Sequence, residues 1–119
     1  MGLAVSTERH GDATVVRLEG EFDLYASAEV RQAADPVLED GDHLLVDLTG
    51  VTFLDSSGLG TLVGLQKRAK LADARMTLCG LSPRLYKIFD VTALRAAFTF
   101  LPEVPALEER EPGGGAPTS

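Results

Sequence analysis

The chain has one cysteine, Cys79, in 119 residues. No internal disulfide can form, and an oxidising compartment is not indicated. Histidine is almost as scarce: His10 and His43 are the two. One cysteine and two scattered histidines supply no metal-ligand spacing, so neither metal nor other cofactor is expected. Basic residues are outnumbered, with 11 Lys and Arg against 18 Asp and Glu and a formal net charge of −7. Such a surface repels phosphate backbones, which argues against nucleic-acid or anionic-membrane binding and suits a partner with a basic patch. No apolar run approaches the roughly 20 residues of a membrane span. Met1 to Val5 does not open with a basic stretch followed by a long apolar one, so no signal peptide is read and a cytoplasmic address is expected.

What is present is ordinary globular material. The hydrophobic fraction is 45% and the charged fraction 24%, enough for one core without disulfide or metal. Leu3 to Glu8 reads as a weak strand and Ala13 to Glu19, with Val15, Val16 and Leu18, as a second. His10-Gly11-Asp12 turns between them. Gly20-Glu21-Phe22-Asp23 closes the second strand. Val30, Ala33, Ala34 and Val37 lie on one face of a helix over about 27–39. Pro36 removes one of its donors and is placed to kink its last turn. His43 to Leu48 is a short apolar strand in which Asp47 is expected to reach the sheet surface or cap a neighbouring helix. A loop over 49–56 then leads to a helix from about Ser57 to Leu71. Arg75 to Cys79 is the next strand, with Cys79 a buried small hydrophobe. Ser82 caps and Pro83 opens a third helix to about Asp90. Phe98 to Leu101 is a last strand, and Pro102 to Arg110 a frayed helix.

Strands alternating with helices define an α/β fold, a mixed sheet of about five strands covered by helices. The order is β-β-α-β-α-β-α-β, with or without a final helix. Residues 1–104 form one domain. Residues 105–119 form a C-terminal extension whose Pro/Gly-rich end reads as disordered.

The segment Leu45 to Gly60 carries the most chemistry. A buried strand ends in a loop presenting two hydroxyls, Ser56 and Ser57, where a helix begins. The first backbone N–H groups of a helix have no partner within it and carry partial positive charge, so a hydroxyl or phosphate is well supported there. Gly58, Gly60 and Gly64 all fall in this helix, at roughly 1 kcal/mol each relative to alanine. Close approach by a neighbouring element or by a partner protein would account for them.

Leu54-Asp55-Ser56-Ser57-Gly58-Leu59-Gly60 resembles the signature loop of STAS-domain anti-sigma-factor antagonists. Gly20-Glu21-Phe22-Asp23 resembles the family's Gly-Glu-Leu-Asp segment, with Phe22 in place of leucine. Ser82-Pro83 followed by Phe89-Asp90 resembles its third helix. The likeness runs from about residue 3 to residue 104, in matching order and spacing. It implies a STAS fold and a partner switch without enzymatic activity. The unmodified antagonist binds an anti-sigma factor that is also a serine kinase, which releases the sigma factor. Phosphorylation of the first serine of the loop, here Ser56, ends binding, and a PP2C-like phosphatase restores it. The same resemblance makes Glu21, Asp23, Asp55, Ser57, Gly58, Leu59 and Gly60 partner contacts, with Ser57 the helix cap. Helix capping and turn-making are the plainer roles for Glu21 and Asp23.

Other classes fit less well. A hydrolase elbow, Gly-x-Ser-x-Gly, fails at both Ser56 and Ser57. A weak nucleotide-binding module lacks both phosphate-binding glycine motifs. A free-standing STAS scaffold subunit, stressosome-like or transport-associated, keeps the fold and changes the task. The two hydroxyls and Asp55 favour the phospho-switch over it.

Overall fold

In the computed structural model the described residues are 2–105. Five strands form one sheet in the order β1-β2-β3-β4-β5. They are β1 (Leu3–His10), β2 (Ala13–Phe22), β3 (His43–Leu54), β4 (Arg75–Cys79) and β5 (Thr99–Leu101). β1 and β2 form an antiparallel hairpin, and every later pair is parallel. The crossovers are α1 (Ser27–Glu39), α2 (Ser56–Leu71) and α3 (Pro83–Val91), with short 3-10 turns at Leu24–Ala26 and Arg95–Ala97. The expected order of strands and helices is observed, with the two 3-10 turns added.

The helices cover one face of the sheet. Val16, Leu18, Phe22, Leu44, Val46, Leu48 and Leu78 point into a core shared with Val30 and Leu38 of α1, Leu62 and Leu65 of α2, and Leu85 and Phe89 of α3. Alternation along each strand sends Ala13, Val15, Leu45 and Cys79 to the opposite face, where Leu101 and Val104 pack on them. Phe89 meets the rings of Phe98 and Phe100 edge-on at 5.3 and 5.4 Å, which ties α3 to β5 and the residue before it.

Three expectations are corrected. β3 does not stop at Leu48 but runs to Leu54, because β2 continues beside it to Phe22 through two bulges. Asp47 neither reaches the surface nor caps a helix. It is 7% exposed and takes an ion pair from Arg17 across the β2–β3 ladder at 3.0 Å. Pro102 to Pro105 form no helix, and the rest of that expected helix, like the tail beyond it, lies outside the described residues.

Burial alone would raise the carboxyl of Asp47. Hydrogen bonds from the Thr49 hydroxyl (2.6 Å) and backbone N–H (3.0 Å), with Arg17 beside it, instead hold it below the usual range. Arg17 is correspondingly held charged by Asp47 and Glu8. Burial and the nearby charge of Asp47 push the Cys79 thiol up to about 11. The buried-hydrophobe expectation for Cys79 agrees with its 0% exposure.

Candidate functional site

The paired ends of β2 and β3 extend beyond β4, which stops opposite Asp47. This projection, with β1 alongside β2 as far as Gly20, sets Glu21 opposite Phe53 and Phe22 opposite Leu54. The Asp55 N–H then donates to the Phe22 carbonyl at 3.3 Å. Register thus places Gly20-Glu21-Phe22-Asp23 directly beside Leu54-Asp55-Ser56, two segments more than thirty residues apart in sequence.

α2 starts at Ser56, one residue earlier than expected, and its cap is Asp55 rather than Ser57. The Asp55 side chain accepts from the Gly58 N–H at 2.9 Å, and its carbonyl accepts from the Leu59 N–H at 2.9 Å. Ser56 is therefore the first helical residue, exposed at the positive end of a sixteen-residue helix. Asp23 does the equivalent work for the neighbouring 3-10 turn, accepting from the Tyr25 N–H at 3.0 Å. The turn-making role of Asp23 is thus real, and its half-buried carboxylate still lies at the rim of the site.

A buried hydroxyl chain joins the two segments from beneath. Thr61 donates toward Ser27 Oγ at 2.7 Å and lies 2.9 Å from the Ser57 carbonyl, while Ser27 reaches the Asp23 carbonyl at 3.4 Å. Sequence reading missed this link. Thr61 sits one turn after Ser57, the spacing at which a threonine hydroxyl bonds back to the preceding turn, and that was the available signal.

The remaining positions separate by depth. Gly58 and Leu59 face inward. A Cβ on Gly58 would stand 2.5 Å from the Phe22 carbonyl oxygen and 2.7 Å from Leu54 Cδ1, so helix–sheet packing explains that glycine. At Gly60 and Gly64 a Cβ would meet nothing within 4 Å. No neighbouring element needs those two glycines. Next to the two site segments in the chain, Leu24 at 62%, Tyr25 at 90% and Phe53 at 50% are exposed apolar side chains.

Neither histidine can serve Ser56 as a base. His10 ends β1 and lies 3.2 Å from Glu8, and His43 opens β3 with Nε2 2.9 Å from the Thr77 hydroxyl. Both are at the end of the sheet opposite Ser56. Among the described residues no three His, Cys, Asp or Glu side chains group as metal ligands. No described helix is long and apolar enough to cross a membrane.

The STAS domain model matches residues 4–106. The chain belongs to the STAS-domain family. It is 34% identical over 96 residues to an anti-sigma-B factor antagonist of Staphylococcus epidermidis, covering 80% of this chain and 89% of that one. Among solved structures it resembles an anti-sigma factor antagonist from Mycobacterium paratuberculosis, with a TM-score of 0.77, 25% identity and 87% and 88% of the two chains covered. It also resembles the Bacillus cell fate determinant SpoIIAA in its phosphorylated form, with a TM-score of 0.66, 25% identity and 84% and 93% covered.

Proposed function

We propose that this protein is an anti-sigma-factor antagonist of the partner-switching kind, acting in the cytoplasm. Its unphosphorylated form binds an anti-sigma factor with serine kinase activity and so frees the sigma factor. Phosphorylation of Ser56 ends that binding, and a PP2C-like phosphatase reverses it. The observation that carries the proposal is Ser56 itself, an exposed hydroxyl at the first position of α2 with Asp55 as its cap and Glu21 and Asp23 alongside.

The chemistry follows from that placement. The Ser56 hydroxyl attacks the terminal phosphorus of ATP held by the kinase, ADP leaves, and the serine proton passes to a base of the kinase. The product adds about −1.5 to −2 charges. Within this chain the positive end of α2 tolerates that charge. In a complex it faces a surface fitted to a neutral hydroxyl framed by Glu21, Asp23 and Asp55. A charge buried there without a partner costs several kcal/mol, enough to separate the proteins. Basic side chains of the kinase suit Glu21 and Asp23. The open space at Gly60 and Gly64 admits a partner backbone over α2, with Ser57 beside it and Gly58 and Leu59 holding the helix in place from below.

The test is incubation with ATP and a soluble extract of its own cells, with capture of the anti-sigma factor and phosphosite mapping by mass spectrometry. Phosphate should appear on Ser56, Ser56→Ala should remain unmodified and bound, and Ser56→Asp should lose binding at least tenfold. Equal binding of the wild type and Ser56→Asp would end the switch reading and leave a scaffold role in its place.

A further inference from the structure

At the end of the domain opposite Ser56, a cavity of about 380 Å³ opens between the last turns of α2 and the first residues of β3, β4 and β5. Its polar and charged side chains include His43, Lys70, Arg75, Thr77 and Thr99, and no carboxylate lines it. That is unusual on a chain whose net charge is −7. Three exposed arginines elsewhere are neutralised: Arg9 pairs with Asp42 at 2.7 Å, Arg68 with Asp35 at 3.6 Å and Arg95 with Asp90 at 3.1 Å. Lys70 and Arg75 make no ion pair among the described residues.

We propose that this cavity binds a small phosphate-bearing anion, held by Lys70 and Arg75 with the Thr99 hydroxyl at its rim. The volume exceeds the needs of a single phosphate and lies at the small end of ordinary ligand pockets. The negative end of α2 lies here and disfavours an anion by itself, and the side-chain cations offset it. His43 adds a reporter. Burial and the charge of Arg75 hold its imidazole below the usual range, while Asp12, in the β1–β2 turn, acts weakly the other way. Its Nε2 meets the Thr77 hydroxyl. A bound anion screens Arg75 from the ring, so the His43 titration should move up. By linkage, the anion should bind more tightly as the pH falls through that titration. The site lies ten to fourteen residues along α2 from Ser56, roughly 15–21 Å at 1.5 Å per residue, so it would be an effector site separate from the switch.

The two histidines make the test direct. The C2–H resonances of the full-length protein are followed by NMR during titration with inorganic pyrophosphate at constant ionic strength. His43 should move saturably and its midpoint should rise. His10, two strands away, should move far less. Lys70→Gln with Arg75→Gln, both on exposed side chains, should abolish the effect with an unchanged melting curve, and Ser56→Asp should leave it intact. ADP in place of pyrophosphate identifies a nucleotide phosphate as the source if it binds severalfold more tightly, and free phosphate compounds if it does not. Adenosine should not bind. Equal movement of both histidines, the same shift with sodium chloride, or an undiminished shift in the double variant would overturn the proposal.

Discussion

Three glycines on one helix should respond to alanine in opposite directions. At Gly60 and Gly64 a methyl group meets nothing within 4 Å, and the backbone is already helical. Alanine there gains the helix-propensity difference, about 0.5–1 kcal/mol per site. For a domain of this size that is about 3–5 °C in Tm for each substitution. At Gly58 the same propensity gain is opposed by contact with the Phe22 carbonyl at 2.5 Å. That carbonyl also receives the Asp55 N–H, so it cannot retreat without loosening the junction of β2 with the serine loop. Overpacking of this kind costs about 1–3 kcal/mol, and contact with a pinned backbone oxygen belongs at the upper end, which leaves a net loss of up to about 2.5 kcal/mol. Urea titration and thermal melting of the three single variants should place Gly60→Ala and Gly64→Ala above the wild type and Gly58→Ala below it. A destabilised Gly60→Ala, or a Gly58→Ala as stable as the wild type, would show that the packing around α2 is not as described. The Gly60→Ala, Gly64→Ala double variant should also bind the anti-sigma factor more weakly while melting higher, a split that a purely structural role for these glycines cannot produce.

Asp55→Ala removes the α2 cap and should cost about 0.5–2 kcal/mol in urea titration, with Asp55→Asn recovering most of it. Asp47 is held below its unfolded pKa, so its contribution is present above pH ~4 and lost as the pH falls through its folded value. Acid titration followed by circular dichroism should therefore show a shallower acid limb for Asp47→Asn than for the wild type, and equal limbs would refute the assignment. Cys79, buried with its thiol pushed up to about 11, should react with a thiol reagent at neutral pH only after denaturant is added. Rapid labelling of the native protein would contradict its burial.

Much of the site is written in short-range signals. Ser82-Pro83 marks the start of α3, and the spacing of Val30, Ala34 and Val37 marks the inner face of α1, because caps and helical periodicity act over a few residues. The serine loop and the Gly-Glu-Phe-Asp segment were legible as separate motifs for the same reason. Their adjacency was not. It depends on the β2–β3 register, in which two bulges carry both strands past Asp47 and set Phe22 against Leu54. The placement of the cap on Asp55 rather than Ser57 follows from that pairing, since the Asp55 N–H is fixed by the Phe22 carbonyl. Depth, too, was decided only by packing. Gly58, Gly60 and Gly64 look alike along the chain, yet one faces a backbone oxygen and two face open space. The link from Thr61 through Ser27 to Asp23, and the meeting of His43, Lys70 and Arg75 around one cavity, join residues from separate elements. Sequence determines which residues favour a strand, a turn or a helix start, because those preferences are local. Which of them become neighbours is a property of long-range register and side-chain packing, and only the tertiary structure decides it.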